Sequence, residues 1–339
     1  MKILITGGLG YIGSHTAVEF SDDYEILIAD NLINSDISVL DSLNQITKSN
    51  IIFEKVDLTD MISVNKLFDK HSDIKNVIHF AALKSVEESL KYPLKYYHNN
   101  ITSLVNILSE IKKRKMEINF VFSSSCAVYG EPKSLPIDEN EKIKEALSPY
   151  ANTKQICEKI LTDFSKICEN FNALSLRYFN PIGAHKSLKI GEHPIGKAQN
   201  LVPIITQSVT GIRNELIVYG DDYQTHDGSC IRDYIHVSDL ANAHICALKY
   251  LEKNNNIKNE FFNIGTGIGT SVFSLIKSFE KVTGHKVNFK IGARRPGDAM
   301  AAYSDNSKAI RVLNWKPRLG LDKALLSAWN WEKMKRINN

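Results

Sequence analysis

Short apolar, β-branched runs alternate with amphipathic stretches through the first half of the chain. KILIT, EILIAD, IIFEKVD, NVIHFA and NFVFSSS read as strands, being brief and rich in residues that suit a pleated, buried surface. Between them lie helical patterns near 11–20, 60–71, 94–115 and 149–169, the last opening with Pro149 at a favoured first-turn position. Such alternation predicts a parallel, doubly wound α/β sheet. ALSLRYFN adds a strand ending at Asn180, after which the pattern loosens to about Asp233 into a Gly- and Pro-containing region with one helix near 201–211. Regularity returns at IHVSDLANAHICALKYLEK, where Ser238 and Asp239 are expected to cap a helix, and at FFNIG, expected to rejoin the main sheet. The expected division is therefore 1–180, with about 233–265 returning to it, and a smaller C-terminal α/β lobe over 181–339.

Composition narrows the class. At 43% hydrophobic over 339 residues the chain can bury a sizeable core. Lys+Arg 42 against Asp+Glu 38 leaves +4, and the one basic block, Lys112-Lys113-Arg114-Lys115, reads as the solvated end of a helix, so no nucleic-acid partner is expected. Five cysteines, odd in number and without Cys-x-x-Cys spacing, suggest neither a disulfide framework nor a metal site, and fit a reducing cytoplasm. The apolar run Lys2 to Thr6 is too short for a signal peptide or a membrane span and breaks into glycines. Neither targeting nor membrane association is expected.

Those glycines carry the first chemical signal. Gly8-x-Gly10-x-x-Gly13, overlaid on Thr6-Gly7-x-x-Gly10-x-x-Gly13, falls between the first strand and first helix, where a Rossmann-type sheet brings a pyrophosphate against a helix N-terminus. Asp30 closes the second strand at the interval where a carboxylate bonds an adenosine ribose and repels a 2′-phosphate, which favours NAD over NADP. Asp57, ending the third strand, reads either as an adenine contact or as a helix-capping acid before Thr59.

The second signal is Ser148-Pro149-Tyr150-Ala151-Asn152-Thr153-Lys154. Tyr150 and Lys154 share one helical face, and an ammonium beside a phenol favours the phenolate, which would let Tyr150 act as a base near neutrality. Ser125, closing the fifth strand, lacks a Gly-x-Ser-x-Gly elbow and reads as a hydroxyl in the proton network of Tyr150 rather than as a nucleophile.

TGGLGYIGSH, HFAALKSV, SSSCAVYGEP, SPYANTK, RYFNPIGAH, RDYIHVSDLA, FNIGTG and ARRPGD, in that order, resemble the extended short-chain dehydrogenase/reductase family, and within it the UDP-hexose 4-epimerases, over nearly the whole chain. The resemblance implies a Rossmann domain holding NAD tightly, a C-terminal lobe for a UDP-hexose, and a homodimer formed through helices at about 94–115 and 149–169. It implies Tyr150 as the base for the sugar 4-hydroxyl, Lys154 as its modifier and ribose ligand, and Ser125 as the partner hydroxyl. Cofactor positions so implied are Gly7, Gly10, Tyr11, Ile12, Gly13, Asp30, Asn31, Asn34, Ser35, Asp57, Leu58, Phe80, Ala81, Ala82, Lys84, Asn99, Ser123 and Tyr178, with Tyr150 and Lys154. Substrate positions are Lys84, Ser125, Tyr150, Tyr178, Asn180, Asn200, Leu201, Tyr219, Arg232, Arg295, Asp298 and Ala302. No metal is implied.

Related dehydratases resemble Thr-Asp-Glu-Val-Tyr-Gly after the fifth strand, where this chain has Ser125-Cys126-Ala127-Val128-Tyr129-Gly130. Without the extra acid and base, the implied chemistry is removal of hydride from carbon 4 and its return to the same carbon. Ala302 matches a position where a bulky Tyr restricts the pocket to plain hexoses and a small residue admits N-acetylated ones, although Tyr303 adjoins it. Pro296 and the segment 191–199 depart from the family pattern.

Overall fold

The computed structural model describes residues 1–295 and 299–337. Asp298 therefore lies outside the described residues. In chain order the elements are β1 (Lys2–Thr6), α1 (Tyr11–Phe20), β2 (Glu25–Asp30), α2 (Ser38–Thr47), β3 (Ile52–Lys55), α3 (Met61–Lys70), β4 (Ile74–His79), α4 (Val86–Lys91), α5 (Pro93–Lys113) and β5 (Ile118–Ser125). They continue with α6 (Pro149–Ile167), β6 (Phe171–Tyr178), β7 (Asn180–Ile182), α7 (Leu201–Val209), β8 (Leu216–Tyr219), β9 (Ile231–His236), α8 (Val237–Lys253) and β10 (Lys258–Ile264). The last are β11 (Gly269–Ser271), α9 (Val272–Thr283), β12 (Phe289–Gly292), β13 (Ala301–Ala302), α10 (Ser307–Leu313) and α11 (Leu321–Ile337).

Seven strands in the order β10-β6-β5-β4-β1-β2-β3 form the main sheet, and every pairing in it is parallel. Near-continuous burial along β1, β2 and β6 explains their unbroken apolar sequences, since helices cover both faces of a parallel sheet. One face packs Ile3, Ile5, Ile28 and Leu176 with α8 residues such as Leu240 and Leu248; the other packs Leu4, Val77 and Phe122 with Leu104 and Ile107 of α5 and Leu161 of α6. The strand read over FFNIG pairs with β6.

Beyond β6 the architecture changes to small pieces. β7, β9, β11 and β13 form a four-stranded sheet, β8 and β12 a two-stranded one. Val202, Ile205, Leu216, Phe279, Leu325 and Trp329 make a separate core among α7, α9 and α11.

Caps follow local chemistry. Ser148 Oγ accepts from Ala151 N at the start of α6, a contact worth about 1 kcal/mol. At α8 the expected cap is corrected: His236 occupies the N-cap and its ring accepts from Ser238 N, while the Asp239 carboxylate instead accepts from the amides of Arg318 and Leu319. Among the described residues no helix is long and apolar enough to cross a membrane, and no cluster of His, Cys, Asp or Glu could hold a metal ion.

Candidate active site

Strand order reverses between β1 and β4, so their carboxyl ends diverge into a crevice. Gly7 lies there with φ +66, and a Cβ on it would stand 2.9 Å from Ala81 N. A Cβ on Gly13 would stand 2.4 Å from Gly7 O, so glycine is what lets α1 approach β1. Gly10 is the N-cap of α1 and makes no side-chain cap, which leaves first-turn amides for an anion. Asp30 is buried, its carboxylate accepting from Leu9 N at 3.1 Å, Leu32 N at 3.0 Å and Ser35 Oγ at 2.7 Å. A carboxylate held this firmly, facing a helix N-terminus across a glycine turn, fits a dinucleotide.

A single cleft of about 1390 Å³ runs from this turn to the end of β5. Gly7, Gly10, Tyr11, Ile12, Gly13, Asp30, Asn31, Asn34, Ser35, Asp57, Leu58, Phe80, Ala81, Ala82, Lys84, Asn99, Ser123, Tyr150, Lys154 and Tyr178 all line it. Asp57 is exposed and accepts from Thr59 N and Oγ1; the acid that caps α3 is Asp60.

Tyr150 and Lys154 occupy the first two turns of α6. Lys154 is 4% exposed, donates to Ser123 O at 2.6 Å, and stands 4.8 Å from the Phe122 ring centroid and 6.0 Å from that of Tyr150. Burial pushes its ammonium down to about 8, opposed by the nearby Glu158 carboxylate. The expectation that Lys154 makes Tyr150 acidic is corrected: burial pushes the Tyr150 phenol up to about 12, against a smaller downward pull from the Ser125 hydroxyl. In this state the pair is an ammonium beside a neutral phenol. Ser125 stands in register with Tyr178, whose phenol burial raises further and which hydrogen-bonds His244 Nε2.

Of the expected substrate positions, Lys84, Ser125, Tyr150, Tyr178, Asn180 and Asn200 line the cleft. Leu201, Tyr219, Arg232, Arg295 and Ala302 are not among its lining residues. Leu201 packs against the core of α7, α9 and α11. Tyr219 ends β8 with the Arg295 guanidinium 5.4 Å from its ring centroid. Arg232 lies on β9 opposite Thr270 and Ala302. Ala302 packs with Cys126 against Phe179 and Val128, whereas the ring of the neighbouring Tyr303 lies against Gly269. Small residue and bulky residue therefore face different surroundings.

Two contributors escaped the sequence reading. Glu192 reaches across the cleft, accepting from Asn200 Nδ2 at 2.5 Å and standing 3.6 Å from Lys84 Nζ; a lone Glu in an irregular segment gives no periodic signal. Asn100 of α5 grips the backbone of Leu83 through both amide atoms and donates to Thr153 Oγ1 on α6. Its place on the buried face of an otherwise apolar helical pattern was the available sign.

The family model described as GDP-mannose 4,6 dehydratase matches residues 4–327. The UDP-glucose 4-epimerase of Drosophila melanogaster is 45% identical, over 97% of this chain and 96% of the fly protein. The UDP-glucose 4-epimerase of Stenotrophomonas maltophila, solved with NAD and formylated UDP-arabinopyranose, superposes with TM-score 0.95 at 41% identity over 100% of both chains. That of Bifidobacterium longum, solved with NAD+ and UDP, gives TM-score 0.95 at 39% identity over 99% of each. On this identity and coverage, the chain belongs to the UDP-glucose 4-epimerase family.

Proposed function

We propose that this protein interconverts UDP-glucose and UDP-galactose through a 4-keto sugar, using tightly bound NAD. The observation that carries the reading is the convergence of Ser125, Tyr150 and Lys154 with the glycine turn and Asp30 on one cleft. When bound in its oxidised form, NAD supplies a hydride acceptor and a positive charge. Tyr150 takes the proton of the sugar 4-hydroxyl at its phenolic oxygen and gives it back. Lys154 stabilises the phenolate that forms, and Ser125 holds the sugar oxygen against it. Burial raises the Tyr150 phenol to about 12, so nearby positive charge, that of Lys154 first, is what favours its phenolate.

Residues 1–180, with 233–265, hold the cofactor in this reading, and 181–339 grip the nucleotide sugar. Asn180 and Asn200 at the cleft, with Arg232, Arg295, Tyr219 and Leu201 beyond it, hold UDP while the keto sugar turns over, and the family resemblance adds Asp298 to this set. Arg suits a diphosphate because its planar fork matches two oxygens. Cys126 and Ala127 occupy the places where a dehydratase needs its additional acid and base, so carbon 4 is the only reacting centre. Chain pairing is through α5 and α6, whose surroundings leave Leu94 80% and Val105 39% exposed.

The resemblance that matches Ala302 to the pocket-restricting position supports UDP-N-acetylglucosamine and UDP-N-acetylgalactosamine as further substrates. Incubation with UDP-galactose and UDP-N-acetylglucosamine separately, followed by chromatography of the products, tests both statements. Ala302→Tyr is expected to abolish turnover of the N-acetyl sugar and spare UDP-galactose; equal loss of both contradicts the assignment of Ala302.

A further inference from the structure

One helical turn beyond Lys154, Glu158 is 3% exposed. Its carboxylate accepts from Ser124 Oγ at 2.6 Å, Arg177 Nε at 2.9 Å and Arg177 Nη2 at 2.8 Å. Arg177, 2% exposed, also donates to the Tyr129 hydroxyl at 3.0 Å and lies over the rings of Tyr129 and Phe261. Tyr129 in turn donates to Asn263 Oδ1 on β10. The placement is pointed: Ser124 precedes Ser125, Arg177 precedes Tyr178, and Glu158 shares a helical face with Lys154. Buried ion pairs are weak sources of stability, because desolvation offsets their attraction and apolar replacements often serve as well. Another reason for this pair is needed.

We propose that Glu158, clamped by Arg177 and Ser124, is a positioning residue for the proton-handling group: it locks α6 against β5 and β6 so that Tyr150 and Lys154 face Ser125, and places a negative charge one turn from the buried ammonium. The inference rests on the roles given to Tyr150 and Lys154 above. The ionisable groups around Lys154 are Tyr150, Cys157 and Glu158 on its own helix and His79 on β4, with Tyr178 of β6 beside Tyr150 and Arg177 of β6 paired to Glu158. Burial holds His79 neutral, down to about 3, and both tyrosines above the neutral range. Burial likewise keeps Cys157 a neutral thiol, up to about 12. Glu158 is thus the anion that favours the charged form of Lys154, its field reduced by the paired Arg177 guanidinium.

The test is the pH profile of kcat with UDP-galactose. Loss of the anion lets Lys154 deprotonate earlier, so Glu158→Gln is expected to move the alkaline midpoint down by about one pH unit, with KM changed less than about twofold. Glu158→Asp restores the midpoint. Because Glu158→Gln strands a buried guanidinium, which is enough to unfold a domain, the double variant E158Q/R177M is measured beside it and is expected to shift in the same direction by less. A folded variant of either kind with the wild-type midpoint, whatever its melting temperature, overturns the proposal. Tyr150→Phe separates the two levels: wild-type turnover there defeats the parent reading, whereas an inactive Y150F with an unmoved E158Q midpoint defeats only the positioning role.

Discussion

Around the reversal of the seven-stranded sheet, Gly7, Gly13, Asp30, Ser125, Tyr150 and Lys154 sit at strand ends or in the first turns of helices, and all line one cleft. Beyond β7, Tyr219, Arg232 and Ala302 sit on strands of two to six residues in two small sheets, and none lines that cleft. The first region is fixed by a large sheet whose strand ends place residues automatically, whereas the second depends on pairings between short strands and on single contacts such as Glu192 with Asn200. In the proposed reading, cofactor binding is therefore built into the fold and sugar recognition is assembled on it.

The comparison breaks most sharply at Gly13. A methyl group there would press on Gly7 O at 2.4 Å, backbone against backbone, so Gly13→Ala should lose at least about a hundredfold in activity, as misplaced geometry typically costs. Dinucleotide released by denaturation, quantified per chain, should fall in parallel; full NAD content would contradict a rigid cofactor region. Arg232→Ala probes the other region. A residue that grips substrate equally in ground and transition state raises KM and leaves kcat alone, and loss of one charge-assisted contact of about 1.5 kcal/mol is about tenfold. Steady-state kinetics that showed kcat falling instead would place Arg232 nearer the chemistry than the geometry suggests.

A smaller effect, carried by histidines of both regions, is a dependence of stability on pH. Burial lowers His15 and His79 to about 3 and His236 and His244 to about 4. The unfolded chain takes up these protons near pH ~6.5 and the folded chain does not, so stability is intact above that pH and is lost as pH falls toward 4. Each histidine contributes at most about 1.4 kcal/mol per pH unit. Urea midpoints at pH 7 and pH 5 should show the decline, and His244→Gln should reduce its slope; equal midpoints at both pH values would count against the buried neutral state.

What the sequence disclosed follows the same divide. Gly7 to Gly13, Asp30 and the Tyr150–Lys154 pair were legible because strand length, helix period and order along the chain determine where they lie. The His236 cap was not, since it accepts through a ring nitrogen, whereas Ser238 and Asp239 carry the usual capping groups. Glu192 was missed because it lies in an irregular segment and one of its partners, Lys84, is far from it along the chain. The acidity of Tyr150 was misjudged for a physical reason: spacing reveals the neighbouring ammonium, but the burial that raises the phenol belongs to the folded state.

The most direct test of the central claim uses UDP-galactose carrying deuterium at carbon 4. The account predicts UDP-glucose with the label retained at carbon 4 and no accumulation of free reduced cofactor. Label washed into solvent, or a dehydrated 4-keto-6-deoxy product, would contradict it.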